Sequence, residues 1–247
     1  MPPRKVAPYS ALAAIYDYVM DHVDYGRWAR YLLALLDKHG VQVQQVLDVS
    51  CGTGSLGRCL QEAGLRVYGC DAAVSMLQAA RKKMASPFIW CSDIRHLALR
   101  FQPQAILSTY DSMNYLMTEA DWLAALRSVQ QLLSLNGIFI FDISTLHNSK
   151  TLFQRYLQRE ATPAGNYVRT SYYQKRNSIQ INEFKIRLTG APSVRYHEVH
   201  RQKILSLATV LGYIAQTDMT VQGCYADFTF LPAREEAERL HFVLKKG

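Results

Sequence analysis

Residues 47–57 read LDVSCGTGSLG. An apolar strand runs into a glycine turn, and Leu56, Cys59, Leu60 and Ala63 then recur at helical spacing up to a stop at Gly64. Gly52, Gly54 and Gly57 spell G-x-G-x-x-G, the pattern of a strand–turn–helix that cradles a nucleotide-like ligand. Asp48 stands just before these glycines, where a strand facing a pyrophosphate usually carries an apolar residue. Its charge bears on which ligand the turn accepts.

Working outward, further short apolar runs follow at RVYGCD (66–71), FIWCSD (88–93), AILSTY (105–110) and IFIFDI (138–143). Helical patterns lie between most of them: Ala73, Leu77, Ala80 and Met84 before Pro87, and Trp122, Leu126, Val129 and Leu133 before Asn136-Gly137. An amphipathic helix on Trp28, Tyr31, Leu32, Leu35 and Leu36 precedes them all and stops at Gly40. Strands alternating with helices predict right-handed βαβ units and a parallel sheet, so residues 1–146 read as N-terminal helices and a doubly wound α/β core.

Near residue 147 the pattern changes. Residues 166–200 alternate, rich in β-branched and aromatic side chains, with a turn at TGAPS (189–193), which predicts an antiparallel sheet. Ile179 and Ile181 occupy odd positions while Phe184, Ile186 and Leu188 occupy even ones, a phase slip that predicts a β-bulge near Asn182-Glu183. Residues 147–205 read as an insertion over the sheet. A helix around 204–211 and the segments YIAQTDM and RLHFVLKKG in 206–247 return to the core. The insertion carries eleven Lys or Arg against Glu160, Glu183 and Glu198; the remainder balances at 17 of each sign, so the net charge of +8 belongs to it.

Almost half of the 247 residues are hydrophobic and 19% are charged, which excludes a disordered chain. The longest apolar runs, such as YLLALL (31–36), are too short to cross a bilayer, and Tyr16 and Asp17 interrupt any secretory core, so a cytoplasmic protein is expected. Five cysteines without C-x-x-C spacing read as free thiols. His197-Glu198-Val199-His200 resembles a zinc signature, but strand alternation places its histidines on opposite faces, so no metal is expected.

Ligands of a doubly wound sheet sit outside the carboxyl ends of its strands. Asp48, Asp71 and Asp93 fall there, with Asp71 nineteen residues beyond Gly52 and suited to ribose hydroxyls. Charge separates the ligand classes. A helix N-terminus that holds a pyrophosphate does so without a nearby anion, whereas S-adenosylmethionine has no phosphate and carries ammonium and sulfonium cations. Asp48 attracts the second and repels the first.

LDVSCGTG, GCD (69–71), SDI (92–94) and STYDSMNYL (108–116) resemble class I S-adenosylmethionine-dependent methyltransferases over about residues 9–146, and more weakly over the last forty. The likeness is greatest to small-molecule members with an antiparallel insertion after strand five, such as amino-sugar N-methyltransferases; IYDYVMDHVDYGRWARYL at the start shares it. The resemblance implies a Rossmann-like, seven-stranded sheet. It implies that Asp48, Gly52 and Gly54 line the methionine part of the cofactor, Asp71 the ribose, and Asp93 with Ile94 the adenine. Tyr16 matches a tyrosine that closes over the cofactor, and Ser50 stands where many members have another glycine. Cys51, Ala72, Met76, Tyr110 and Asp111 complete the expected cofactor set.

Tyr110, Asp111, Asn114 and Tyr115, after strand four, face cofactor and substrate in such enzymes; Tyr115 falls where some sugar N-methyltransferases carry a histidine. Tyr115, Tyr16 and His147 are the expected catalytic residues. Methyl transfer is an in-line displacement with a neutral leaving group, so positioning matters most; an oxygen nucleophile gains from a base such as Tyr115 or His147. The expected acceptor is a small, anionic molecule drawn to the basic insertion, methylated at nitrogen by a monomer or homodimer. RNA tracked by the same basic residues is the alternative, followed by a binding protein without catalysis and by a nicotinamide-dependent oxidoreductase.

Overall fold

In the computed structural model, residues 2–85 and 88–247 are described. In chain order the elements are β1 (Arg4–Lys5), α1 (Tyr16–Val19), α2 (Tyr25–Lys38), β2 (Gln45–Asp48), α3 (Ser55–Glu62), β3 (Arg66–Asp71), α4 (Val74–Lys83), β4 (Ile89–Cys91), β5 (Ala105–Ser108), α5 (Glu119–Leu132) and β6 (Ile138–Ser144). They continue with α6 (Leu146–Thr151), β7 (Tyr156–Thr162), β8 (Gly165–Gln174), β9 (Ile179–Leu188), β10 (Tyr196–Lys203), α7 (Leu207–Ile214), β11 (Met219–Ala226) and β12 (Arg239–Lys246). Pro87, read from sequence as the stop of α4, lies outside the described residues.

Seven strands form one sheet in the order β11-β12-β6-β5-β2-β3-β4, parallel from β6 to β4, with β12 and β11 joining antiparallel. This is the expected doubly wound Rossmann-like sheet. Its order reverses between β2 and β5, which opens a crevice at their carboxyl ends. The strands read as apolar runs because both faces are covered. On one side Leu47, Ile106, Phe139 and Phe141 pack with Trp122, Leu126 and Val129 of α5. On the other, Val46, Leu107 and Ile140 pack with Trp28, Leu32 and Leu35 of α2 and Leu60 of α3. A capping box, Thr118 with Asp121, starts α5. Ser206 caps α7, which sets the start of that helix three residues beyond its expected one.

A second sheet, β1-β10-β9-β8-β7, is antiparallel except where β1 runs parallel to β10. The N-terminal segment belongs with it in space: Ala11, Leu12, Ile15 and Val19 pack on Tyr167, Phe184 and Ile186. The expected bulge is absent, since β9 pairs without a break with β8 from Ile179 to Leu188 and with β10 from Ile179 to Ile186. The phase slip has another cause. Gln180 and Asn182 share the inward face of Phe184 and Ile186 and are themselves buried, so the face changes from apolar to polar while its register holds. Among the described residues, no helix is long and apolar enough to cross a membrane, and the cysteines are free.

Candidate active site

At the carboxyl end of β2, Asp48 is buried and accepts the Ser50 N–H at 3.1 Å. The chain then turns through Gly52 and Gly54, both with φ in the left-handed region, +54° and +81°, and enters α3. Asp71, at the end of β3, accepts the N–H of Gly52 at 2.9 Å and of Ala73 at 2.8 Å, so one carboxylate ties the glycine turn to the start of α4. Burial raises Asp48 to about 7 and raises Asp71 as well. Among the described residues neither acid has a Lys or Arg partner. That electrostatics suits a cation and opposes a pyrophosphate.

A cavity of about 410 Å³ opens above this turn. Tyr16, Ser50, Gly52, Asp71, Ala72 and Met76 line it from one side, and Asp93, Ile94 and Tyr110 from the other. Asp48 and Cys51 border a narrower recess beneath, with Tyr16 and Thr53. Gly54 lies behind the lining, where a Cβ would come within 3.2 Å of the Ala80 backbone. Asp93 caps the turn at 94–96 and pairs with Arg95 at 2.7 Å, which holds its carboxyl below the usual range. Asp17 on α1 accepts from Thr53 Oγ1 at 2.7 Å and pairs with Lys83 at 2.6 Å, fastening the N-terminal segment to the glycine turn.

A second cavity of about 190 Å³ lies between the sheet's carboxyl edge and the inward face of β8–β10. Tyr9, Tyr16, Tyr110 and Tyr115 line both cavities and form the wall between them. Tyr110 and Asp111 have φ of +61° and +49°, two successive non-glycine residues in the left-handed region. The bend stacks Tyr110 on Trp28, with ring centroids 4.6 Å apart, and turns Asp111 into the second cavity. There Asp111 meets Arg239 at 2.9 Å, while Arg239 also pairs with Asp142, a carboxyl fully buried in β6 and raised by that burial to about 6.

Residues that sequence reasoning passed over complete this cavity. Arg169 donates to Asn182 Oδ1 at 2.9 Å and to Ser171 Oγ at 3.2 Å, and its guanidinium lies 5.0 Å, 5.3 Å and 5.5 Å from the rings of Phe153, Tyr156 and Phe184. Among the described residues it has no carboxylate partner. Gln180, Asn182, His200 and Gln202 supply the polar inward face. Their signal was alternation: on β9, Gln180 and Asn182 fall at the even positions that Phe184, Ile186 and Leu188 continue, and on β10, His200 and Gln202 fall in phase with Tyr196 and Glu198. His147 lines neither cavity; its neighbour Asn148 on α6 does. Asn114 is a clamp, its amide holding the Ser144 N–H at 2.9 Å and the Lys203 carbonyl at 2.8 Å. The two histidines of HEVH do face opposite ways, His197 toward Glu183 and His200 into the cavity, and no metal-ligating cluster occurs among the described residues.

Residues 46–137 match the family model described as a methyltransferase domain. The Bacillus subtilis (strain 168) protein YqeM, named as a methyltransferase, is 27% identical with 97% of each chain covered. A Streptomyces fradiae enzyme named dTDP-3-amino-3,6-dideoxy-alpha-D-glucopyranose N,N-dimethyltransferase is 30% identical over 55% of this chain and 54% of its own. In fold, the chain is similar to an S-adenosylmethionine-dependent methyltransferase from Clostridium acetobutylicum ATCC 824 (TM-score 0.81, 20% identity, 97% and 99% of the two chains covered). It is also similar to Streptomyces venezuelae DesVI (TM-score 0.76, 20% identity, 94% and 97% covered). Together with the glycine turn, the strand-end acids and the sheet order, these likenesses show a methyltransferase domain at residues 46–137 and support an S-adenosylmethionine-dependent methyltransferase.

Proposed function

We propose that this methyltransferase acts on a small acceptor that carries a negative group, and that it methylates a nitrogen atom. The observation that carries this reading is the pair of cavities joined by one tyrosine wall, with a guanidinium in the smaller, that of Arg169, which has no carboxylate partner among the described residues. S-adenosylmethionine supplies an activated methyl group on a sulfonium, a neutral leaving group once displaced. Asp48 and Gly52 suit its amino-acid end, Asp71 its ribose, and Asp93 with Ile94 its adenine; Tyr16 belongs to both sides. A cavity of about 190 Å³ is of metabolite scale, and Arg169 would orient a carboxylate or phosphate there by paired hydrogen bonds. Holding acceptor and methyl in line supplies most of the rate. The relatives named as amino-sugar dimethyltransferases support nitrogen as the target.

The test is calorimetry with S-adenosylmethionine and S-adenosylhomocysteine, followed by labelled-methyl transfer into a metabolite extract. Asp71→Asn should weaken cofactor binding by roughly ten- to a hundredfold, the scale of hydrogen bonds to a charged acceptor. Arg169→Met should raise the acceptor's KM with little change in cofactor affinity. Absence of cofactor binding, or an acceptor without a negative group, contradicts the proposal. RNA remains a second reading because nine of the insertion's basic side chains are exposed; binding that falls steeply with salt would favour it.

A further inference from the structure

Three hydrogen bonds run from the tyrosine wall into the second sheet. Tyr9 Oη lies 2.8 Å from Tyr115 Oη, Tyr115 Oη lies 2.9 Å from His200 Nδ1, and His200 Nε2 lies 3.3 Å from Glu198 Oε2. His200 and Glu198 project from the inward face of β10 and are 2% and 0% exposed. Glu198 also accepts the N–H groups of Tyr9 at 2.8 Å, of Leu12 at 2.9 Å and of Ala11. These backbone donors make Glu198 an acceptor toward its neighbours. With Glu198 an acceptor, the His200 Nε2 carries the ring proton, Nδ1 is left as a lone pair, and the Tyr115 hydroxyl donates to it.

Glu198 fastens the N-terminal segment through these backbone groups, but the buried acid–imidazole pair itself is seldom better than apolar packing of the same volume. The outer end of this chain of groups, however, lies in the wall between the two cavities. We propose that Tyr115, His200 and Glu198 form a proton relay that frees the acceptor's nucleophilic atom, with Tyr115 in contact with the acceptor and the other two acting through it. The inference rests on the methyl-transfer reading above and names what that site demands: an acceptor atom that arrives with a proton, an ammonium or a hydroxyl.

The acceptor's proton passes to Tyr115 Oη as the tyrosine's own proton passes to His200 Nδ1. The imidazolium so formed is balanced by the Glu198 carboxylate. The freed lone pair takes the methyl group, the pair of the broken bond stays with sulfur, and after the product leaves the proton returns through Tyr115 to the water that enters the cavity. Burial holds the Tyr115 phenol well above its usual range, so a tyrosine there is a poor base unless it passes its proton on. Glu198 faces His200 from β10, Tyr115 from the 112–115 turn, Tyr9 from the N-terminal segment and Phe184 from β9; Arg169, Arg239 and Asp111 are charged groups of the same cavity, which His22 also lines.

Histidine-selective nitrogen labelling tests the relay in the full chain, with and without S-adenosylhomocysteine. The His200 resonances, assigned by their loss in His200→Gln, should show the Nε2–H tautomer, and Tyr115→Phe should shift Nδ1. An Nδ1–H tautomer in the unsubstituted protein, or an Nδ1 indifferent to Tyr115→Phe, overturns the proposal. With the acceptor in hand, Tyr115→Phe should lower kcat by about 10²–10⁴-fold, with KM nearly unchanged. His200→Gln should do the same; an unaltered kcat in Tyr115→Phe overturns the relay. Because the tautomer is read without acceptor or cofactor, a failed relay is distinguished from a failed methyl-transfer assignment.

Discussion

Asp48 shows how one side chain sets the charge of a ligand site. It is 1% exposed and held by a single backbone donor, so burial lifts its carboxyl to about 7, with Asp71 nearby adding to the lift. A folded-state pKa above the unfolded value means that ionisation works against the fold: the free protein loses stability as pH rises from the ordinary carboxylate range through 7. A bound cation offsets that cost. Cofactor affinity should therefore fall by up to about tenfold per pH unit below 7 and level off above it, and Asp48→Asn should flatten the dependence. Calorimetry between pH 5.5 and 8.5, values chosen at about 1.5 units either side of that pKa, checks both; a pH-independent affinity in the unsubstituted protein would sink the role of Asp48. Asp142 offered a comparable signal, a lone acid in the buried run IFIFDIS, which required a basic partner that proved to be Arg239 from β12.

At the scale of elements, the glycines of the opening motif divide by what surrounds them. Gly54 caps α3 with φ of +81°, and its missing Cβ would sit 3.2 Å from the Ala80 Cα of α4. Gly57 lies inside α3, and a Cβ there would meet the far end of Met84 at 2.7 Å. Gly54→Ala should cost about 1–2 kcal/mol from left-handed strain alone, with the crowding of α4 added. Gly57→Ala should cost less, since the thioether end can swing aside and alanine improves the helix by up to about 1 kcal/mol. Thermal denaturation of the two variants decides it, and a larger loss for Gly57→Ala would contradict this account. On β9, the polar stretch at Gln180 and Asn182 resembled an error of register in the alternation; it is a cavity wall on an unbroken strand.

At the scale of the molecule, the second cavity exists because two distant stretches meet over the sheet. Residues 4–20 and β8–β10 share the apolar cluster around Ile15, Phe184 and Ile186, and Glu198 holds three backbone N–H groups of the N-terminal segment. Ile15 is fully buried, so Ile15→Ala should cost about 2–5 kcal/mol and loosen this roof before the seven-stranded sheet. Hydrogen exchange should quicken at Ala11 and Leu12 while Phe139 and Ile140 stay protected. Uniform loss of protection would show that roof and core open as one. The charge asymmetry seen in composition also resolves in space: nine of the eleven basic residues of 147–205 face solvent, and Arg169 turns inward among aromatic rings.

The sequence by itself determined what depends on neighbouring residues. Apolar runs separated by helical patterns required a doubly wound sheet, LDVSCGTG required a strand, a tight turn and a helix, and Asp48, Asp71 and Asp93 fell at strand ends because each closes its own run. Tertiary structure alone decided the second cavity. Tyr9 meets Tyr115 across 106 positions, and Tyr115 meets His200 across 85. Arg169, the one basic residue of β8, stands on the face that the aromatic rings of Phe153 and Phe184 cover, whereas nine of the other ten basic residues of its segment are exposed. Local periodicity reports which side of a strand is buried, but what covers that side is set by the packing of segments far apart in the chain, and it is that covering which brings tyrosines, imidazole and guanidinium to one wall.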